Sequence, residues 1–232
     1  MKPPRWMVGM AIAFTTTASY AARPLHTEDA GVIERGACEL EPGWMRERAR
    51  DTPVVRSAST QLACGTRWST QLGARVGAEH SGDEHVQTVS WVGKTNLRKL
   101  TDDTIGVALA YSVDSSRPDG RHFATPSRAI EGVVTVPHFI ARHWELHVNA
   151  GWERDGGIHQ SSTTWGIAIE RAKLGPFEWV AETYGDDRGQ AWINTGVRWA
   201  AFGNTVLVDV AYAERRAGGT ARRFGVGLKW AF

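Results

Sequence analysis

The chain ends in the stretch Arg223-Phe224-Gly225-Val226-Gly227-Leu228-Lys229-Trp230-Ala231-Phe232, and this stretch decides the fold class. Its large apolar residues stand at every second position, with glycine, alanine or a cation between them. A period of two is that of a β-strand, because successive side chains of a strand point to opposite faces. One face of this segment therefore suits lipid and the other suits water.

The same alternation recurs along the chain in segments separated by clusters of Gly, Pro, Asp and Ser. It predicts twelve strands, at 37–46, 54–64, 66–79, 85–96, 103–113, 128–138, 143–154, 161–172, 176–185, 189–201, 204–214 and 221–232. An even number of strands allows an antiparallel sheet to close with both chain ends in the periplasm. The sequence thus predicts an all-β fold, a closed antiparallel transmembrane β-barrel.

A soluble β-sandwich also alternates, but two features favour the barrel. The apolar faces carry tryptophan near strand ends, as the aromatic girdles of membrane barrels do. The girdle candidates are Trp68, Trp144, Trp152, Trp165, Trp179, Trp199 and Trp230. The opposite faces mix charges with Gly and Ala, which suits a curved and partly filled lumen.

The bulk composition excludes a helical membrane protein and gives no sign of a nucleic-acid-binding protein. Outside the first 22 residues no apolar run approaches the length of about 20 residues that a membrane-spanning helix needs. The net charge of +2 balances 27 basic against 25 acidic residues, so nucleic acid is not an expected partner.

The N-terminus has the three parts of a secretory signal peptide. Lys2 and Arg5 supply the positive region, residues 6–14 the short apolar region, and Ser19-Tyr20-Ala21 the cleavage site. We therefore predict a cleaved signal peptide over residues 1–21 and export to the outer membrane.

Between the signal peptide and the first strand lies a polar segment, residues 22–36, with little strand pattern. It is predicted either to lie in the periplasm or to fold into the lumen as a plug. The barrel is predicted to occupy residues 37–232.

The two cysteines, Cys38 and Cys64, are predicted to form a disulfide rather than two free thiols. If residues 36–46 and 54–64 are the arms of a hairpin, the two cysteines lie opposite each other within a residue or so. Opposed residues in a non-hydrogen-bonded pair have Cα atoms about 4.5 Å apart, which a disulfide can bridge. Export also places them in an oxidising compartment.

A family resemblance rests on the start of the mature chain. Arg23-Pro24-Leu25-His26-Thr27-Glu28-Asp29-Ala30-Gly31 and Gly36-Ala37-Cys38-Glu39-Leu40-Glu41, with Ala63-Cys64 and Val92-Gly93-Lys94-Thr95, carry it. These stretches resemble proteobacterial outer-membrane barrels of the phenol-degradation meta-pathway family, which are regarded as transporters. The resemblance implies passage of small molecules, hydrophobic or aromatic ones, and favours a plug or rim role for residues 22–36.

The last strand also resembles the C-terminal signal that the barrel-assembly machinery reads in outer-membrane proteins. The residues of this candidate signal are Phe224, Val226, Leu228, Trp230 and Phe232. The resemblance implies that this machinery is a partner during biogenesis.

If the alternation holds, a set of charged and polar side chains faces the lumen. The predicted lumen residues are Arg75, Lys94, Glu131, Glu145, His147, Glu170, Glu178, Glu182, Arg198, Asp209, Arg223 and Lys229. Such a mixture can form a salt-bridge network that fills the lumen, or it can line a small polar pore. The sequence leaves both alternatives open.

Signs of catalysis are weak in this sequence. It has no Gly-x-Ser-x-Gly elbow, phosphate loop or His-Glu-x-x-His box. His143 and His147 share a strand face, but residues four apart on a strand are about 13 Å apart, too far to share a metal ion. We expect no catalytic residues, no metal and no cofactor.

The function predicted from the sequence is that of an outer-membrane channel or transporter for small molecules, in contact with membrane lipids. The alternative is a structural or surface-interaction barrel with a closed lumen. A lipid-modifying enzyme is the third option, because His147, Asp209 and hydroxyl residues on neighbouring strands could supply a catalytic set.

Overall fold

The computed structural model describes residues 26–232 except 51, 120, 124, 190, 203–204 and 216–220. The predicted signal peptide, residues 1–21, lies outside the described residues, as do residues 22–25. Within the described part of the chain, no helix is long and apolar enough to cross a membrane.

The described residues form twelve β-strands. They are β1 Cys38–Ala49, β2 Val55–Gly65, β3 Thr70–Ser81, β4 Glu84–Arg98, β5 Gly106–Pro118, β6 Ser127–Pro137, β7 Trp144–Arg154, β8 Ser161–Leu174, β9 Phe177–Asp186, β10 Trp192–Ala201, β11 Val206–Arg215 and β12 Ala221–Ala231. Each strand pairs antiparallel with its neighbours along the chain, and β1 also pairs with β12, so that the sheet closes. The predicted fold class and number of strands are confirmed.

The barrel has two ends, which we name by what they carry. The terminal end is the one at which β1 begins and β12 ends. The loop end is the opposite one, and in outer-membrane barrels it faces outward from the cell.

Two predicted strand boundaries are wrong by four residues or more. The fifth strand ends at Pro118 and not at residue 113. The third strand begins at Thr70 and not at residue 66, because the backbone turns first: Ser69 has a positive φ of 50°. The Thr66 amide donates to the Thr70 carbonyl across this turn at 2.7 Å. Trp68, a girdle candidate, therefore lies in the turn, where it is 80 % exposed.

The two faces of the barrel follow the alternation in the sequence. On β12, Leu228 and Trp230 are 37 % and 45 % exposed, whereas Lys229 between them is 3 % exposed. Outward-facing aromatic rings lie towards both ends of the barrel, and rings near the terminal end pack together. Trp144 and Trp179, for example, contact edge to face with their centroids 6.3 Å apart.

The remaining girdle candidates are exposed tryptophans within strands, namely Trp152, Trp165 and Trp199. Of the candidate assembly signal, Phe224, Leu228, Trp230 and Phe232 are exposed, and Val226 is half-buried.

A disulfide staples the first hairpin at the terminal end. Cys38 and Cys64 pair directly across β1 and β2 with their Cα atoms 4.1 Å apart, and the predicted bond is formed. On the side of β1 that faces β12, the Cys38 amide donates to the Phe232 carbonyl at 2.8 Å, and the Phe232 amide donates to the Cys38 carbonyl at 3.0 Å. The start of β1 is thus held covalently by β2 and through hydrogen bonds by the last residue of the chain.

Candidate functional site

The predicted lumen side chains share the inward face of the barrel. Lys94, His147, Glu170, Glu182, Arg198, Asp209 and Lys229 are buried. Arg75, Glu131, Glu145, Glu178 and Arg223 are half-buried. The structure divides them among several polar clusters.

The largest cluster surrounds Arg198 on β10. Its Nε donates to the Asp209 carboxylate at 2.7 Å, and its Nη1 donates to Glu178 at 3.2 Å. Both acids stand directly opposite Arg198 in the register, on the strands to either side. Arg198 is thus paired with carboxylates on both sides, and this sector of the lumen is filled by a network of ion pairs.

The network extends sideways to β7 and β8. Glu170 lies 3.6 Å from Nη1 of Arg198 and 3.8 Å from Nε2 of His147. His147 Nδ1 is 3.0 Å from the Thr135 hydroxyl. Glu145 stands opposite Glu170 in the register and so belongs to the same sector.

Three other cations of the lumen are paired with carboxylates from β1 or β5. Lys229 contacts Glu39 at 2.7 Å and Glu41 at 3.6 Å. Arg223 lies 2.7 Å from Glu47, and Arg75 lies 2.8 Å from Asp114.

An inner segment, residues 26–36, occupies part of the lumen. It leaves β1 at the terminal end, where the Gly36 amide donates to the Gly65 carbonyl at 3.2 Å. A Cβ atom at Gly65 would lie 2.1 Å from the Glu34 carbonyl oxygen, so only glycine allows this close passage. From there the inner segment crosses the lumen and reaches His26, which stacks on Tyr184 near the loop end.

Strands from around the barrel hold the inner segment in place. The amides of His26 and Thr27 donate to the Glu182 carboxylate at 2.9 and 2.7 Å. Next along the inner segment, Glu28 contacts Lys94 of β4 at 3.0 Å.

Further along, the Ala30 amide donates to the Thr135 hydroxyl at 2.8 Å, and the Ile33 amide to Gln71 at 2.9 Å. Ala30 is fully buried against Ala108 and Val133. The alternatives for the N-terminal segment were a periplasmic position and a plug, and residues 26–36 lie inside the barrel.

His26 is the outermost described residue of the inner segment. Its ring stacks on Tyr184 with 4.1 Å between centroids. Burial lowers the pKa of the His26 imidazole, an effect that the nearby Glu182 carboxylate only partly offsets and that Arg223 reinforces. His26 therefore docks as a neutral ring at neutral pH.

A cavity of about 650 Å³ remains beside the inner segment. Its lining includes Met45, Ser57 and Asp186 towards the loop end and Glu39, Ala63 and Gln71 towards the terminal end. Since liquid water takes about 30 Å³ per molecule, the cavity has room for on the order of 20 water molecules. The lumen is thus partly filled by ion pairs and the inner segment, and partly open.

Several lumen residues were missed in the sequence. Glu39, Glu41 and Glu47 are in phase with one another on β1, so the alternation could have found them. Glu28 and Asp29 gave no signal, because the inner segment has no strand period and its position depends on contacts across the lumen.

Trp192 was also not predicted to face the lumen. It is 6 % exposed on the inward face of β10, and the Arg223 guanidinium lies 3.9 Å from its ring centroid. A tryptophan in a membrane barrel is thus not always a girdle residue.

A family model matches residues 10–232, nearly the whole chain. The chain belongs to the family described as "Uncharacterised conserved protein UCP029691". No curated protein sequence matches the chain.

Solved structures of outer-membrane barrels resemble this family member in fold. The KdgM porin matches with a TM-score of 0.57 at 11 % identity, over 83 % of this chain and 99 % of that one. The β domain of the Bordetella autotransporter BrkA matches with a TM-score of 0.56 at 14 % identity, over 84 % and 99 %. Outer membrane phospholipase A from Escherichia coli matches with a TM-score of 0.52 at 11 % identity, over 89 % and 94 %.

These neighbours include a porin, an autotransporter domain and an enzyme, so at such identities the likeness shows the fold alone. It supports an outer-membrane barrel, which is the fold that the family resemblance in the sequence implied. Membership of the phenol-degradation meta-pathway family stays a prediction.

Proposed function

We propose that this protein is an outer-membrane channel for small hydrated solutes, with a preference for cations. The cavity beside the inner segment carries this proposal, because its lining draws on residues near both ends of the barrel. From Glu39 to Met45 along β1 the cavity wall covers about 20 Å at 3.3 Å per residue, which is about 15 Å along the axis of a barrel whose strands tilt by about 40°. The apolar band of such a barrel is about 25 Å tall.

The charges on the cavity wall favour cations. Its acidic lining residues are Glu28, Glu39, Glu41, Glu131, Glu153 and Asp186, and its permanently charged basic ones are Arg75, Lys94, Arg223 and Lys229. The four cations are all engaged by carboxylates. Carboxylates in excess at a water-filled constriction attract cations, as acidic rings do in cation channels.

Glu131 is the carboxylate best placed to act on a passing cation. It is half-buried on β6 and accepts a hydrogen bond from the neutral Asn149 amide at 3.1 Å. Among the described residues no cation forms an ion pair with Glu131. Its carboxyl group therefore faces the cavity without a cationic partner among the described residues.

The charged wall also bears on the kind of solute. Hydrophobic or aromatic permeants, which the phenol-degradation resemblance implies, would have to displace water from these charged groups, and that desolvation is costly. Hydrated ions and small polar solutes meet no such barrier. The proposal is therefore limited to them.

We further propose that the lumen performs no catalysis. His147, the histidine of the largest polar cluster, is 4 % exposed. Its Nδ1 faces Thr135 and its Nε2 faces Glu170, so neither nitrogen is presented to lipid or to bulk water. A lipid-modifying barrel would instead alter the lipopolysaccharide of a strain that overproduces it.

The channel is tested by conductance of the purified protein in planar bilayers. We expect small steps, and under a KCl gradient a reversal potential that favours K⁺. Replacing Glu131→Gln removes up to one unit charge from the wall, and a full charge 4 Å away in water is worth about 1 kcal/mol, or about fivefold in a population. We therefore expect the permeability ratio of K⁺ over Cl⁻ to fall by roughly two- to fivefold.

Asp103→Asn is the matched control, because Asp103 is an exposed carboxylate in the turn between β4 and β5 at the terminal end. It should leave the ratio unchanged. A silent membrane with correctly folded protein would contradict the channel and favour the closed barrel. Equal effects of the two substitutions would contradict the assignment of Glu131.

A further inference from the structure

Four arginines stand on the outward face of the barrel at its loop end. Arg46 and Arg48 on β1 are exposed and in phase with Trp44, which faces outward. Arg56 on β2 and Arg222 on β12 are exposed in the same phase as their outward neighbours. We call this set the arginine face.

The strand register brings the arginine face together in pairs. Arg46 stands directly opposite Arg56, and Arg48 directly opposite Arg222. The row continues from Arg56 to His80 on β3 and from His80 to His85 on β4. Adjacent cationic or protonatable groups thus run across five neighbouring strands.

Directly opposed like charges destabilise a sheet, since their Cβ atoms are only about 5 Å apart. The described carboxylates that approach this row lie at its edges: Glu214 is 3.9 Å from Arg222, and Asp119 is 3.4 Å from His85. Arg46 and Arg56 form no ion pair with a described residue. Among the described residues, the fold therefore leaves the opposed charges of Arg46 and Arg56 without a carboxylate partner.

The pairing of arginines is confined to one end of the barrel. A third opposed pair, Arg128 and Arg154 on β6 and β7, also lies outward at the loop end. In the registers of the described strands, no two arginines are opposed at the terminal end. A chance scatter of solubilising charges would not select the loop end, whereas an anionic leaflet around that end would.

We propose that the arginine face binds the phosphate groups of a lipid in the surrounding leaflet, of the kind whose headgroup carries closely spaced phosphates, as lipid A does. Guanidinium groups bind phosphate in bidentate geometry, and a phosphate between two arginines removes their repulsion.

The apolar surface next to the arginine face identifies the ligand as a lipid rather than a free anion. One step towards the membrane on the same strands, Trp44 and Phe224 contact edge to face with centroids 6.3 Å apart. Both are exposed, at 41 % and 44 %. A bound headgroup would thus have its acyl chains against these rings.

Native mass spectrometry of the detergent-solubilised full barrel tests the proposal. The probe is bisphosphorylated lipid A, with dephosphorylated lipid A as the comparison ligand. We expect the wild type to bind the bisphosphorylated form at least tenfold more tightly. The double variant Arg46→Gln/Arg56→Gln should lose about tenfold or more of that affinity.

The matched control is Arg67→Gln/Arg98→Gln, which removes two exposed arginines from the terminal end. It should bind as the wild type does. The proposal is overturned if the arginine-face variant binds as tightly as the wild type, if the control loses as much, or if dephosphorylated lipid A binds equally well. Should the double variant fail to show a folded band on an unboiled gel, Arg56→Gln alone replaces it, with the same comparison at a smaller loss.

Discussion

At the scale of single residues, the interior of this barrel is organised by cations paired with carboxylates, and Arg198, Lys94 and Lys229 each contact more than one. Arg198, 1 % exposed, has Glu170, Glu178 and Asp209 within 3.6 Å. Removing one partner from a buried ion network leaves uncompensated charges in a medium of low dielectric constant. The centre of such a network should therefore be far more sensitive to substitution than a single, partly exposed ion pair elsewhere in the lumen.

We expect Arg198→Met to lower the free energy of unfolding by about 3–5 kcal/mol, because two buried carboxylates and one half-buried carboxylate lose their cation. The measurement is a urea titration of the barrel in lipid vesicles, followed by tryptophan fluorescence.

Arg75→Met is the control, since the Arg75 and Asp114 side chains remain 19 % and 26 % exposed. It should cost about 1 kcal/mol or less. If the two variants lose similar free energies of unfolding, the network around Arg198 contributes no more to stability than the single pair of Arg75 and Asp114.

At the scale of elements, the inner segment depends on one glycine of β2. Gly65 donates its amide to the Ala37 carbonyl at 3.0 Å and accepts from Gly36 at 3.2 Å. A methyl group at Gly65 would meet the backbone oxygens of Ile33 and Glu34 at 2.3 and 2.1 Å, and backbone cannot move aside as a flexible side chain can. The inner segment would have to leave this position.

We expect Gly65→Ala to cost about 1–3 kcal/mol through overpacking and to loosen the inner segment. Trypsin should then cleave the folded barrel faster after Arg35, which pairs with Gly65 in the native structure. N-terminal sequencing of the product identifies the site.

The control for this substitution is Gly132→Ala, where the nearest atom to the added methyl group is the Ala150 carbonyl oxygen at 3.7 Å. Cleavage after Arg35 should stay at the wild-type rate. If Gly65→Ala is cleaved no faster than Gly132→Ala, the inner segment does not depend on the close passage at Gly65.

At the scale of the whole molecule, closure rests on the seam between β1 and β12. The register of this seam runs from Glu39 and Ala231 at one end to Ala49 and Ala221 at the other. The disulfide lies in the first hairpin and does not cross the seam. Closure is therefore held by backbone hydrogen bonds and by ion pairs that cross the seam, namely Lys229 with Glu39 and Arg223 with Glu47.

We expect the unboiled protein to migrate differently from the boiled protein on an SDS gel, because a closed barrel resists the detergent until heated. The variant Cys38→Ser/Cys64→Ser should keep this shift. It should be less stable to urea by about 3 kcal/mol, the chain-entropy contribution of a loop of this size. A wild type without any shift would contradict the closed barrel, and a shift lost in the variant would contradict closure by the seam.

The strand pattern was predictable because alternate side chains of each strand face the membrane and the lumen, so apolar and polar residues alternate in the sequence. That periodicity is local, and it placed the strands, the inward face with Arg198 and Glu182, and the opposed pair Cys38 and Cys64. Its errors are local too: the turn at Ser69 shifted the start of β3, since a positive φ leaves no trace in hydropathy.

What the sequence alone determined is the closed barrel, because the alternation repeats often enough to require a lipid-facing cylinder. Only the tertiary structure decided how far the lumen is filled. The anchors of the inner segment come from strands distant in the chain, such as Glu182 for His26 and Lys94 for Glu28. The pairing of Arg48 with Arg222 likewise depends on the register of the closing seam between β1 and β12. Contacts of this kind are set by closure of the sheet, and no short stretch of residues encodes them.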